Sequence, residues 1–394
     1  MKFLKQKLFL LSPILVLTVV LIFSLTLVPS VNPSPRSLPI AIVNEDEGFD
    51  IRNKGKINMG NTFVEKIGDL AKKSSGEVPV IHWIKVPDKE TVIEGLNNQK
   101  YYAAMVITKG FSQKQASLQT PNPSFPNIEI LINEGMNATA AKMAGQMLKG
   151  ITDNLNKNLS SQLLAEFEKQ GGEISTKQAS VLAAPINVDV TNINAVGLNS
   201  ANGNAPVSFI QPLWMSSIIG AAIVFISINK VNIKSRRESF LSKLILISIG
   251  AILAIIVGFG LISIVDNWLG FHVPNFNDTA LFVALSYFSF FMLISAVTAW
   301  FGIKGIGIFA LLFFFGVPLL SMPPEFMSAF YRDWIYYWLP MRFSVEGLRE
   351  LLYFGSTFSF DGPSLILLIM ASLSVCVILL SALKPVQQKG IQHG

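Results

Sequence analysis

The chain has 394 residues, 51% hydrophobic and 14% charged, against roughly 25% charged in an ordinary soluble domain, which excludes a typical soluble enzyme and equally a disordered protein. A single cysteine, Cys376, excludes internal disulfides and any cysteine-built zinc or iron–sulfur centre. The net charge is +6, yet residues 31–210 hold 17 Lys/Arg and 17 Asp/Glu, so the whole excess lies beside apolar segments, a membrane signature and not a nucleic-acid one.

Residues 8–28 form the first apolar run, uncharged for 21 positions, and crossing a bilayer takes about 20. The run exceeds the usual signal-peptide core, and no small-x-small site follows in Val28-Pro29-Ser30-Val31, so it reads as an uncleaved anchor. Prolines at 29, 33, 35 and 39 stiffen the exit.

An α/β pattern follows. Residues 38–43 read as a buried strand ended by Asn44-Glu45-Asp46-Glu47-Gly48. A helix is expected over 60–73, a strand over 79–86, an Asp88-capped helix to about Asn98 and a strand over 101–108. Ile128, Ile130 and Ile132 alternate as a further strand. From about 136 to 169, Ala140, Ala144, Met147, Ile151, Leu155, Leu159, Leu163 and Phe167 form one stripe at helical spacing. Such a helix either stands as a stalk or packs across the sheet. Gly171-Gly172 stops it, a short helix runs to about Leu182, and Ile186, Val188 and Val190 alternate as a strand. Residues 194–206 read as a linker.

Five more spans are expected at 209–229, 244–265, 279–301, 303–320 and 363–383. With six spans, Lys2, Lys5, Lys7, Lys230, Lys234, Arg236, Arg237, Lys243, Lys304, Lys384 and Lys389 share one side, and only Arg332, Arg342 and Arg349 fall in the opposite short loops. The positive-inside rule then places both termini in the cytoplasm. Three domains result: 1–30 with the first span, 31–208 as an extracytoplasmic α/β domain with its long helix, and 209–394 with five spans.

Catalytic signals are absent: no HExxH, GxSxG or CxxC occurs, so neither a catalytic nor a cofactor or metal residue is assigned. Asn44-Glu45-Asp46-Glu47 is acidic, but its spacing departs from that of a calcium loop and polar residues are ordinary at a strand end. His82 has no second histidine nearby. Two loops are more informative. The first is basic, with Lys230, Lys234, Arg236, Arg237 and Glu238; it serves either as a plain positive-inside stop or as a docking helix. The second, 321–362, gathers Phe326, Phe330, Tyr331, Trp334, Tyr337 and Trp338, an interfacial belt. In it Glu346 and Arg349 are i, i+3 neighbours able to pair, with Arg342 and Glu350 flanking. Ser286, Tyr287, Ser289, Ser295 and Thr298 inside the fourth expected span read equally as interhelical glue or as a site.

Ser37-Leu-Pro-Ile-Ala-Ile-Val-Asn-Glu-Asp-Glu-Gly48, directly after a first span, resembles the opening of the YhgE/Pip (phage infection protein) group of ABC-2-type transporter permeases. Leu339-Pro-Met-Arg-Phe-Ser-Val-Glu-Gly-Leu-Arg-Glu350 resembles the Leu-Pro…Gly-x-Arg segment before the last span of such permeases, and the plan of one span, an ectodomain and five spans matches as well. The 31–208 segment is shorter than in many members. The resemblance implies a type V exporter-like helical fold in a bacterial plasma membrane and a half-transporter working as a homodimer or with a sister permease. It implies that Lys230, Lys234, Arg236, Arg237 and Glu238 form the loop coupled to a cytoplasmic ATP-binding-cassette ATPase. It also implies an external re-entrant helix pair, about 325–338 and 341–354, bearing Trp334, Arg342, Glu346 and Arg349. No GxxxxGK[ST] loop is present, since Gly68-Asp-Leu-Ala-Lys-Lys-Ser74 lacks the second glycine and the spacing. ATP would therefore be used by a partner subunit, to export a small molecule, peptide or lipid-like compound. The other reading is a non-transporting receptor or scaffold, serving a phage or a secretion apparatus through its ectodomain.

Overall fold

A computed structural model describes residues 35–51, 55–73, 79–169, 171 and 175–384, with Leu17 and Ser24. The span expected over 8–28 otherwise lies outside the described residues, as do the cations at 2, 5, 7 and 389. The chain divides into two compact units, one of them Ser34–Val196 and the other holding the long helices that follow Gly197.

In the first of these, the strands are β1 (Leu38–Asn44), β2 (Phe49–Ile51), β3 (Gly55–Ile57), β4 (Ile81–Lys85), β5 (Ala103–Ile107), β6 (Asn127–Asn133) and β7 (Asn187–Ile193). Five of them make one sheet in the order β4-β1-β5-β6-β7, and all five are strands expected from the alternating or continuous apolar runs. β1 is parallel to both neighbours, with Ile40 opposite Trp83 on one side and Ala103 on the other. β6 runs antiparallel to β5 and β7 parallel to β6. Leu38, Ile40, Ala41 and Val43 are fully buried, because a central parallel strand is covered on both faces. The β2–β3 hairpin was not expected; its three-residue strands are too short to show a period.

The helices described in this unit are α1 (Met59–Lys73), α2 (Lys89–Asn97), α3 (Phe111–Ser117), α4 (Ala138–Lys169) and α5 (Thr176–Ala183). Asp88 caps α2 as expected, its carboxylate accepting from Thr91 N at 2.7 Å. That bond holds the Asp88 carboxyl below its ordinary pKa of 3.8. α4, 32 residues and about 48 Å long at 1.5 Å per residue, packs across β6, β5 and β1 instead of standing free. Further along, Leu163 and Phe167 of α4 pack with Leu118 and Val181.

The second unit contains α6 (Ala205–Lys230), α7 (Arg236–Asn267), α8 (Phe276–Phe301), α9 (Ile306–Leu320), α10 (Ala329–Trp334), α11 (Pro340–Tyr353) and α12 (Gly362–Leu380). Among the described residues, five stretches are long and apolar enough to cross a membrane: α6, α7, α8, Ile303–Leu320 and Gly362–Leu383. α8 is the hub: it packs against α6, α7, α11 and α12, and 72% of its most apolar stretch is buried, against 28% for α7. α7 approaches α8 closely at Gly258, where a Cβ would stand 2.5 Å from Ala280 O and 2.8 Å from Ala284 Cβ. Ser289 Oγ donates to Leu367 O of α12 at 2.8 Å, and Ser344 Oγ to Ser286 Oγ at 3.0 Å. Trp214 Nε1 ties α6 to α9 through Phe309 O at 3.0 Å. Thr298 turns back on Ser295 O within its own helix. Ser286 and Ser289 of this span thus serve as contacts between helices, while Ser295 Oγ is buried without a hydrogen-bond partner.

The linker expected over 194–206 is cut short, because α6 already starts at Ala205 with Pro206 in its first turn, a position where the missing N–H costs nothing.

Candidate functional site

The first site expected from the sequence is the junction of α6 and α7. Only five residues, 231–235, separate the helices, so Arg236, Arg237 and Glu238 stand on the first turn of α7 and not in a loop. The local sequence dictates this start. Ser235 Oγ accepts from Glu238 N at 3.2 Å, and Glu238 Oε2 accepts from Lys234 N at 2.7 Å, a variant of the capping box. Glu238 also complements the positive end of the helix dipole. Lys230, Lys234, Arg236 and Arg237 are all exposed and, among the described residues, none is in an ion pair. Val231, Phe240 and Leu241 are exposed beside them. The five candidate residues therefore sit together on one ordered, basic and partly apolar elbow.

The second site is the stretch from Pro323 to Tyr353. The expected first helix is broken: a 3-10 turn at Pro324–Phe326, the six-residue α10 and another 3-10 turn at Tyr336–Trp338 replace it. Pro324 opens the first 3-10 turn and Pro340 opens α11, each at a helix start where the missing N–H costs nothing, so Pro340 separates these turns from α11. Phe330, Trp334, Tyr337 and Trp338 are exposed, whereas Phe326, Tyr331 and Tyr336 are buried. This split gives an aromatic outer band over an aromatic anchor.

The expected Glu346–Arg349 pair is not what forms. Glu346 Oε1 instead accepts from Arg342 Nε at 2.5 Å, one turn toward the N-terminus. Arg342 is drawn there because its guanidinium also donates to Tyr337 O at 3.1 Å and lies 4.8 Å from the Tyr337 ring centre. Arg349 Nε is buried without a hydrogen-bond partner. Burial, with Glu346 adding repulsion, pushes the Tyr336 hydroxyl up to about 12. Burial also raises the Glu350 carboxyl above its ordinary 4.5, helped by the nearby charges of Glu346 and Asp361. Trp334 stands apart from the ion pair, exposed on α10.

The acidic run after β1 has a different role from a cation site. Asp46 is buried; its Oδ1 accepts from Ser112 N at 3.0 Å, and its Oδ2 from Gly60 N at 3.4 Å and from the Ser112 hydroxyl. Ser112 Oγ in turn accepts from Met59 N at 2.7 Å. Glu45 Oε1 accepts from Lys89 N at 3.2 Å. Three helices, α1, α2 and α3, thus begin on two adjacent carboxylates at the end of the central strand. Asn44 Oδ1 accepts from Asp46 N, and Asn58 Nδ2 donates to Asp46 O, fixing the turn. His82 is exposed on β4, an edge strand of the sheet.

Sequence reasoning did not single out Ser112, which follows Gly110-Phe111 without any motif of its own. Gly347 lay inside a recognised motif, but its reason is visible only in three dimensions: a Cβ there would stand 2.2 Å from Phe282 Cζ of α8.

Among the described residues, five membrane-capable helices, one of them the buried hub α8, define a polytopic α-helical membrane protein. The chain belongs to the ABC-2 transporter family: the family described as ABC-2 family transporter protein matches residues 7–383. It is also similar to the uncharacterized protein YhgE of Bacillus subtilis (strain 168), 24% identical over 125 residues, which is 32% of this chain and only 15% of that protein. Together the two matches support a YhgE-like group. No solved structure matches.

Proposed function

We propose that this chain is the permease subunit of an ABC-2-type exporter, moving a small molecule, peptide or lipid-like compound with energy from a separate cytoplasmic ATPase. In this reading residues 8–28 supply the sixth span, the α/β unit is carried outside between the first and second spans, and both termini are cytoplasmic. Two copies, or this chain and a sister permease, flank one pathway.

The α6–α7 elbow is the observation that carries the proposal. Unpaired cations and exposed apolar side chains on a capped helix start suit docking onto a protein surface better than solvation alone, which would not require Phe240 and Leu241 outside. The ATPase grips this elbow and closes on ATP; the closure pushes α7 and displaces the first two spans against α9. Because ATP favours only the closed state, the cycle has a direction. The external segment around Arg342, Glu346, Arg349 and Trp334 then works as the outer gate.

The test is a mild-detergent pull-down of the native protein with an ATPase assay on what accompanies it. A stoichiometric P-loop subunit is expected, lost in the Arg236→Glu/Arg237→Glu variant with topology intact. A clean preparation without an ATPase would instead favour the receptor or scaffold reading.

A further inference from the structure

The apolar stripe of α4 is covered at both ends and open in its middle. Ala140, Ala144 and Leu148 are buried toward the start, and Leu163 and Phe167 toward the end. Ile151, Leu155 and Leu159, which continue the same stripe between them, are only half-buried. Opposite them stand Phe63 and Ile67 of α1 and Phe111 of α3, and the space between is a groove of about 280 Å³. A second hollow of about 230 Å³ adjoins it, sharing Met59, Gln115, Leu159 and Gln162. Together they reach the size range of small-molecule sites.

The rim has a definite chemistry. Asn154, Asn158 and Gln162 lie four residues apart along α4, with Gln115 and Lys66 facing them. Among the described residues none of these side-chain amides hydrogen-bonds within the protein, and Lys66 is in no ion pair. Among the described residues no carboxylate lines the larger hollow; Glu166, at the smaller one, is held by Gln119. Apart from Thr62 and the rim groups the lining is apolar, so a peptide backbone laid along it would find too few partners for the hydrogen bonds it loses to water. A bare hydrocarbon chain loses nothing there.

We propose that this groove binds the alkyl chain of an anionic amphiphile, with its head group on Lys66 and the rim amides. That this amphiphile is the exported compound rests on the permease reading; the binding itself does not.

The experiment uses the full-length protein in phosphatidylcholine nanodiscs, photolabelled with palmitate carrying a diazirine in its chain, without ATP or partner. Adducts are mapped on peptides and expressed relative to those on α7, which meets the bilayer in every sample. We expect adducts on 59–67 and 151–162. In Lys66→Glu they fall roughly tenfold, the loss of one charge-assisted contact. Lys66 is exposed, so that variant keeps its fold; Leu155→Trp, which fills the groove, should lose the same adducts. Labelling confined to the spans, or unmoved by both variants, overturns the proposal. Equal labelling by the uncharged alcohol analogue, indifferent to Lys66→Glu, overturns the anionic head group. If labelling follows Lys66 while no ATPase accompanies the protein, the groove stands and only the export reading falls. A recovered ATPase with no groove labelling gives the converse.

Discussion

The hydroxyl of Ser112 donates to the buried carboxylate of Asp46 across 66 positions of sequence, and the two residues together hold the first turns of α1 and α3. A buried charge is tolerated here because backbone N–H groups at two helix starts surround it. In open α/β sheets, ligands favour the crevice at the carboxyl ends of strands whose connections diverge. β1 and β5 form such a pair, and Asp46 fills the place between them from within the chain.

Asp46→Ala leaves the Ser112 and Gly60 N–H groups buried without their acceptor, and should cost about 2–4 kcal/mol. Asp46→Asn keeps one acceptor and should cost less. Hydrogen exchange of the full-length protein checks both, with lost protection expected first in 59–67 and 111–117.

Gly347→Ala forces a methyl into the Phe282 ring and should destabilise by about 1–3 kcal/mol, the usual range for overpacking. Phe282→Leu alone opens space and also destabilises. Combined, the two should be less harmful than their sum, a coupling that thermal unfolding in detergent measures by a double-mutant cycle.

Arg342→Met breaks a half-buried ion pair and a contact with the Tyr337 ring, and should cost about 1–2 kcal/mol. Arg342→Lys should recover little, because an ammonium lacks the planar fork that reaches Glu346 and Tyr337 O together. Arg349→Met should cost less than Arg342→Met, since its Nε makes no bond. The reverse order in unfolding midpoints would mean that Glu346 pairs with Arg349 after all.

Glu350 has a folded pKa above its unfolded value, so the folded protein binds this proton more tightly. Its contribution is therefore fully present below the ordinary 4.5 and is lost as pH rises through the folded value. Glu350→Gln cannot ionise. It should unfold at a higher temperature than the parent at neutral pH, and the advantage should shrink as pH falls toward 4.5. A gap that widens on acidification would contradict the sign.

The apolar segments and the alternating strands were legible because their signals are local: one period, repeated over several residues. The sheet order and the partner of Asp46 were not, since both depend on which segments meet after collapse. The short hairpin and α3 escaped because three to seven residues hold too few repeats to mark a period. The error at Glu346 has a related cause. Helical spacing permits both Arg342 and Arg349 as partners, and the choice falls to Tyr336 and Tyr337, which lie in the turn before Pro340 rather than on the helix.

The α6–α7 elbow also sets how far a disturbance there must reach. With five residues between two helices, and the second start capped, little slack exists to absorb a displacement of Arg236. Thirty-two residues of α7 form one continuous rod, and Gly258 seats that rod against Ala280 and Ala284 without space for a methyl group. A shift of α7 toward α8 therefore has no free space to use and must displace α8, which in turn touches α6, α11 and α12. A local push at the elbow becomes a rearrangement of the bundle, and the glycine contact is the clutch that engages it.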